Sequence, residues 1–369
     1  MIPVSKPTIG ERELEYVTEC LKTGWISSSG RFVKEFEDGF SSYCGARQGI
    51  STTSGTTALQ LALASLKIGK GDEVIVPSFT MIATIAAVVH AGAKPVFVDS
   101  EPETWNIDPA KIEDIVTSRT KAIMPVHLFG HPCDMDPIMK TAEKHGLRVI
   151  EDAAEAHGAE YRGKRVGSVG DVGCFSFYAN KIVTTGEGGM LVTNNEAVAE
   201  RARSLKNLMF DKERTFIHSE AGFNYRMTNI QAAIGLAQFE RIEETIEAKR
   251  RNARLYNSLL ADVQGITAPK EMSWAKNVYW MYAVLVEDGF GASRDNLRKG
   301  LESRGIETRL LFAPAHMQPF LSDPGLSAKD YPVAEMLYKK GLYLPSAASL
   351  TRDEIEEVCN AIKDIQKSS

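Results

Sequence analysis

Gly173-Cys174-Phe175-Ser176-Phe177-Tyr178-Ala179-Asn180-Lys181-Ile182-Val183-Thr184-Thr185-Gly186-Glu187-Gly188-Gly189-Met190 is the stretch around which the rest of the chain is organised. Phe175 and Tyr178 belong to a short apolar run that ends at Asn180 and reads as a buried strand. The cluster of Gly186, Gly188 and Gly189 lets the backbone pass close to something bulky. A lysine set between two such segments is held in place.

Two readings stand for Lys181. Charged side chains are mostly exposed, so one is an ordinary solvated loop lysine. The other is an amine desolvated enough to form a Schiff base with pyridoxal phosphate (PLP). Residues elsewhere in the chain must decide.

Upstream, strands and helices alternate from Gly49 onward: Gly55 to Leu66 helical, Glu73 to Val76 extended, Ile82 to His90 helical, Pro95 to Asp99 extended. Ala122 to Val126 extended, Met135 to His145 helical and Arg148 to Glu151 extended continue the pattern. Apolar strands between helices of this length predict an α/β fold on a mainly parallel sheet covered on both faces. In such sheets ligands bind beyond the carboxyl ends of the strands. That rule singles out Pro77 to Met81, His127 to Gly130 and Asp152 to Glu155. Before the first strand, Leu14, Val17 and Leu21 place a helix over Glu11 to Lys22, followed by a loop in which Trp25 reads either as a partly buried anchor or as part of a wall of the site.

Downstream, Thr228 with Gln231 is a capping box, and apolar spacing from Ile230 through Ile246 predicts one long helix. Ala232, Ala233 and Gly235 would let it pack closely on a neighbour. Lys249, Arg250, Arg251 and Arg254 lie among Glu243, Glu244 and Glu247 and read as a solvated helix face. Val278 to Val286 and Glu307 to Phe312 read as strands, and Arg294 to Arg304, Val333 to Lys340 and Arg352 to Ile365 as helices. This gives a large domain over residues 1–247, including the N-terminal helix, and a smaller α+β domain over 248–369.

Two domains also suit 369 residues and 40.6 kDa. A formal charge of -5 lacks the basic footprint that nucleic acid or an acidic membrane would favour, which points to small-molecule work. The five cysteines are widely spaced, without a Cys-x-x-Cys pair, as expected of a reducing cytoplasm. No secretory signal and no apolar run of about 18 residues is present, so a cytoplasmic chain with no membrane partner is expected.

Three further groups could carry chemistry. Ser51 to Leu59 runs into a helix, where Gly55 and Thr56 offer backbone N–H groups either to a phosphate or simply to N-capping. Asp152 closes a strand; it either caps a turn or faces a pyridine nitrogen and keeps it protonated. His127, His131 and Cys133 have metal-like spacing, but the turn at Gly130 and Pro132 and the lack of a fourth ligand speak against a metal. Gly167, Gly170 and Gly173 do not make a dinucleotide fingerprint, and neither a Walker motif nor a Gly-x-Ser-x-Gly elbow occurs.

Taken in order, Thr-Gly-Trp-Ile-Ser-Ser-Ser-Gly-Arg-Phe, Ser-Gly-Thr-Thr-Ala-Leu, Val-Pro-Ser-Phe-Thr, Glu-Asp-Ala-Ala-Glu-Ala, Ser-Phe-Tyr-Ala-Asn-Lys, Thr-Thr-Gly-Glu-Gly-Gly-Met and Gly-Phe-Asn-Tyr-Arg-Met-Thr-Asn-Ile-Gln-Ala-Ala-Ile-Gly resemble the DegT/DnrJ/StrS family of PLP-dependent sugar aminotransferases. The resemblance implies the aspartate-aminotransferase-like fold (PLP fold type I). It assigns Lys181 the Schiff base, Asp152 the pyridinium nitrogen, Glu155 the ring hydroxyl, and Gly55, Thr56 and Ser176 the phosphate. Asn224 is implied to reach the phosphate of a neighbouring subunit, which makes a homodimer with shared sites necessary. Met81 stands where relatives usually place an aromatic against the cofactor ring. Within the family, Gly222 to Gln238, Val278 to Tyr282 and Gly305 to Arg309 are most similar to members that transfer an amino group from L-glutamate to C4 of GDP-4-keto-6-deoxy-D-mannose. The product would be GDP-perosamine, destined for O-antigen lipopolysaccharide. Arg309 and His316 are the candidates for contacting the nucleotide sugar, although Leu310 to His316 departs from the usual run of those members. Alternatives are a dTDP- or UDP-linked ketosugar, or a non-catalytic binding or regulatory protein of the same fold. A related dehydratase branch has histidine in place of the lysine.

Overall fold

Helices α1 (Glu11–Thr23) and α2 (Arg31–Tyr43) come first, and α2 buries Phe32, Phe36 and Phe40 along one stripe. That four-residue spacing is a helix signal that the reading above left within a loop region. The coordinates are a computed structural model that describes residues 1–210, 216–321 and 326–368.

β1 (Gln48–Thr52), α3 (Gly55–Ser65), β2 (Glu73–Pro77), α4 (Ile82–His90), β3 (Lys94–Val98), β4 (Thr120–Ile123), α5 (Met135–His145) and β5 (Arg148–Asp152) then alternate as expected. After a small hairpin of β6 (Glu160–Tyr161) and β7 (Lys164–Arg165) come β8 (Val172–Ser176), β9 (Gly189–Thr193) and α6 (Glu196–Lys206). The seven-stranded sheet has the order β1-β9-β8-β5-β4-β2-β3. Its pairs are parallel from β8 to β3, while β9 runs antiparallel to both β8 and β1. All five positions of β2 and of β9 are buried, because helices cover both faces of the sheet.

The long helix expected from Thr228 is two helices, α7 (Asn229–Phe239) and α8 (Ile242–Leu260). Thr228 and Gln231 do form the capping box. The break falls at Arg241, whose guanidinium is tied to the Glu13 carboxylate and the Thr8 carbonyl, so a tertiary ion pair overrides continuous periodicity. α7 packs closely on α2: a Cβ on Gly235 would lie 2.6 Å from Phe36 Cε1.

The remaining elements are β10 (Ile266–Thr267), β11 (Ala275–Lys276), β12 (Tyr282–Val286), α9 (Arg294–Glu302), β13 (Arg309–Leu310), α10 (Pro332–Lys340), β14 (Gly341–Leu344) and α11 (Arg352–Lys367). A four-stranded sheet of order β10-β12-β14-β13 packs with α8, α9 and α11 around a second apolar cluster that includes Leu297, Leu342 and Ile362. Ile2 joins this cluster from the N-terminus, and the division expected at 247/248 falls inside α8.

Two further expectations are corrected. Trp25 is 58% exposed; its loop is held through the backbone instead, by Asn229 Nδ2 donating to the Trp25 carbonyl at 2.7 Å. Lys249 is buried, not part of a solvated face, and donates to the carbonyls of Trp280 at 3.0 Å and Ser346 at 2.7 Å.

Candidate functional site

Ser176 and Gly189 are register partners at the ends of β8 and β9, so the residues between them cross the carboxyl edge of the sheet. The strand ends at Ser176 and does not run on to Asn180, because Lys181 N–H donates to the Tyr178 carbonyl at 2.9 Å and closes a turn. Phe177 N–H donates to the Gly188 carbonyl at 2.8 Å and Thr185 N–H to the Phe177 carbonyl at 2.9 Å, pinning both limbs of the loop. Gly186 takes φ 80°, which only glycine adopts without strain.

The Lys181 side chain is only 10% exposed, and its Nζ lies 3.9 Å from Glu155 Oε1. Nζ also sits 3.6 Å from the centroid of the Trp280 ring. Asp152, at the end of β5, accepts from Thr84 Oγ1 at 2.8 Å and from Ala154 N–H at 3.1 Å. Thr80 Oγ1 in turn lies 3.0 Å from Thr84 Oγ1, so the entry to α4 orients the carboxylate. Glu155 Oε2 accepts Phe129 N–H at 2.8 Å, and Phe129 holds the left-handed φ of 57° that aims its N–H there.

Burial dominates the electrostatics. It raises the Asp152 carboxyl, against the pull of Thr84, Ala154 and Lys181. It raises Glu155 as well, with Lys181 opposing. It lowers Lys181, with Glu155 and Asp152 opposing. Burial thus favours the uncharged form of the amine and of both carboxyls, while their mutual attraction favours the charged forms.

The neighbouring Glu151 points to the other side of the strand and accepts the N–H groups of Gly167, Val169 and Gly170 at 2.8, 2.8 and 2.7 Å. The glycine spacing noted in the sequence therefore wraps a carboxylate. Glu151 also accepts His127 Nε2 at 3.0 Å, while Nδ1 of that ring accepts Cys133 N–H at 3.0 Å. His131 Nε2 accepts Met272 N–H at 3.1 Å, and Cys133 Sγ donates to the Val126 carbonyl at 3.1 Å. The metal-like trio is spent on these bonds, and among the described residues no group of three metal-ligating side chains occurs.

Gly55 begins α3 directly against the end of β8: a Cβ there would lie 2.7 Å from Ser176 Cβ. Ser54 Oγ takes the Thr57 N–H at 3.2 Å, while the N–H groups of Gly55 and Thr56 belong to the first helical turn, which has no partners within the helix. The structure thus brings Gly55, Thr56 and Ser176 together as an anion cradle at a helix N-terminus. Amine, two buried carboxylates and cradle fit the reactive groups of PLP. Met81 precedes α4 and is 49% exposed. Asn224 is exposed, and its Oδ1 accepts Arg226 Nε at 3.1 Å. Arg309 and His316 have other partners. Arg309 pairs with Glu307 at 3.2 Å on the exposed β13, and the buried His316 ring bonds Glu335 at 2.8 Å and stacks on Tyr331. Sequence reasoning missed Thr84, Trp280 and Lys249 here; Thr84 alone had a local signal, lying one helical turn after Thr80.

Residues 7–363 match the DegT/DnrJ/EryC1/StrS aminotransferase family. The chain belongs to that family. Its aminotransferases are PLP-dependent, and the solved relatives include a sugar aminotransferase of Streptococcus pneumoniae in PLP and PMP forms. Among similar proteins, the GDP-perosamine synthase of Caulobacter vibrioides is 48% identical over 365 residues, 99% of this chain and 98% of that protein. The GDP-perosamine synthase of Escherichia coli O157:H7 is 43% identical, covering 98% of each. The crystal structure of DesV from S. venezuelae in complex with a ketimine intermediate superposes with a TM-score of 0.91 at 36% identity, covering 96% of this chain and 94% of that one. The aspartate-aminotransferase-like architecture is therefore that of a family aminotransferase, and no helix among the described residues is long and apolar enough to cross a membrane.

Proposed function

We propose that the protein transfers an amino group from L-glutamate to C4 of GDP-4-keto-6-deoxy-D-mannose, giving GDP-perosamine, with PLP as cofactor. The observation that carries the chemistry is the Lys181 amine, buried beside Glu155 at 3.9 Å and under the electrostatic influence of Asp152. Full-length identity of 48% to a GDP-perosamine synthase supports the sugar.

When bound, PLP supplies an aldehyde that captures amines and a ring that accepts electrons. Lys181 is the residue to hold the aldehyde carbon, Asp152 the ring nitrogen, Glu155 the ring hydroxyl, and Gly55, Thr56 and Ser176 the phosphate. Lys181 Nζ would take the proton from the α-carbon of glutamate and pass it to the carbon that had been the cofactor's aldehyde, and in the second half-reaction would carry one from that carbon to C4 of the sugar. Burial lowers the pKa of that amine, against the pull of Glu155 and Asp152, and so favours its neutral, basic form. Glu155 balances its charge whenever it is protonated. Asp152, locked by Thr84 and Ala154, offers a carboxylate that keeps a ring N–H in place.

The test is a panel of GDP-, dTDP- and UDP-4-ketosugars incubated with glutamate and PLP-loaded protein, read by mass spectrometry of the sugar product. The GDP sugar is expected to be aminated fastest. Preference for a dTDP or UDP sugar would overturn the assignment.

The same reading makes the working unit a homodimer, with Asn224 of each chain completing the phosphate site of the other; its exposure and its tether to Arg226 support this. Lys181→Ala and Asn224→Ala proteins should each be impaired, yet regain activity when mixed under subunit exchange, because one site of the mixed dimer is then intact. No recovery on mixing would show that the site is built within one chain.

A further inference from the structure

Trp280 comes from the segment just before β12, a hundred residues from the lysine it touches. Its indole Nε1–H donates to the carbonyl of Asn180 at 2.8 Å, the residue immediately before Lys181. Its ring face lies against Lys181 Nζ, 3.6 Å from centroid to nitrogen. The Trp280 carbonyl accepts the buried Lys249 amine, which also donates to the Ser346 carbonyl, so α8 and the segment after β14 hold the tryptophan from behind. With Trp280 only 5% exposed, the contact between amine and ring is shielded from water, where a cation over a π face is strongest.

We propose that Trp280 is the positioning residue for Lys181: its N–H fixes the backbone of the lysine's turn, and its π face receives the amine whenever it is free and protonated. The inference rests on the function proposed above and adds to it a resting place for the displaced amine. Within each half-reaction, between taking a proton from one carbon and delivering it to the other, Nζ must remain nearby as an ammonium without pairing so tightly to Glu155 that it cannot return. A ring face attracts the ammonium with little directional demand and leaves its N–H bonds free to point at the reacting carbon.

The charged groups that face Lys181 are known. Asp152, at the end of β5, and Glu155, just beyond it, favour its ammonium form. Lys249 of α8 and the buried His157 each interact with it electrostatically, and both resist a second positive charge nearby. The tryptophan adds a further attraction for the charged form, so its removal shifts the amine toward neutrality.

The experiment measures the protonation midpoint of Lys181 in the full chain freed of cofactor, by competitive labelling with acetic anhydride across pH and mass spectrometry of the peptide that carries it. Trp280→Phe, which keeps an aromatic face and loses the N–H, should leave the midpoint within about a few tenths of a pH unit, while Trp280→Leu should lower it by about half a unit to one unit, the size of a cation–π contact. An unchanged or raised midpoint in Trp280→Leu, with wild-type circular dichroism, would overturn the proposal. If Trp280→Leu does not fold, 19F NMR of the otherwise unaltered protein labelled with 5-fluorotryptophan decides: the resonance assigned to position 280 by its loss in Trp280→Phe should titrate at the Lys181 midpoint, and a flat signal would refute the contact. A wild-type protein with no visible cofactor band would instead count against the PLP reading, and it would leave both amine measurements standing.

Discussion

Lys249 stands in a run of Glu244, Glu247, Arg250, Arg251 and Arg254, yet its amine lies inside the protein between two backbone carbonyls and has no carboxylate partner among the described residues. Burial, with Lys181 adding like-charge repulsion, brings its pKa down to about 7 from 10.5. Above about pH 7 the folded chain therefore leaves this amine neutral, while the unfolded chain keeps it protonated up to about 10.5. Because the unfolded state then binds the extra proton, stability rises with pH through this window, by up to about 1.4 kcal/mol per pH unit from this group. Lys249→Met removes the titration, and it also leaves two buried carbonyls without a donor, a loss that does not depend on pH. Urea unfolding at pH 7.5 and 9.5 should show wild type gaining on Lys249→Met as pH rises. A gap that stays constant would mean that the folded chain, like the unfolded one, keeps the amine charged throughout. No reading of the sequence could place this lysine: its neighbours along the chain are solvated, and only the approach of Trp280 and Ser346 from distant segments removes it from water. For Lys181 the flanking glycines and apolar run left two readings open, and the family resemblance chose between them.

At the scale of elements, legibility followed how local each determinant is. The helices Ile82–His90 and Met135–His145 have the ends expected of them, since periodicity and the glycine after His145 lie within the segment itself. The start at Thr228 was readable from a capping box that spans only Thr228 to Gln231. The end of that helix was not, because Arg241 is drawn out of register by Glu13, over two hundred residues earlier. Helix α2 was overlooked although Phe32, Phe36 and Phe40 recur at one helical turn, since Gly30, Gly39 and the serines around it read as loop. The strands of the smaller sheet were expected to be longer than they are. Tyr279 takes a left-handed φ of 48°, and β12 begins only at Tyr282, so the aromatic run bends before it pairs. That bend is what delivers Trp280 to the lysine.

For the whole molecule, the site is an assembly of segments that the chain order keeps apart. Thr84 opens α4, Asp152 closes β5, Lys181 lies in the β8–β9 loop, and Trp280 arrives from the smaller sheet. The N-terminal strand segment ties the ends of the chain together, with Ile2 N–H donating to the Gly305 carbonyl and Val4 N–H to Glu307 Oε2, at 2.8 and 3.0 Å. Alternation of strands and helices announced the sheet, and the rule that ligands gather at its carboxyl edge pointed to the loops that carry Thr80, Phe129, Asp152 and Glu155. The partners that tune each group were beyond reach, because hydrogen bonds across 68 residues, as between Thr84 and Asp152, leave no periodic trace. Borohydride reduction of the PLP-loaded protein, followed by peptide mass spectrometry, interrogates the core of this account. The phosphopyridoxyl group is predicted on Lys181, with none on the equally buried Lys249. Its appearance on another lysine, or on none, would contradict the assignment of the site.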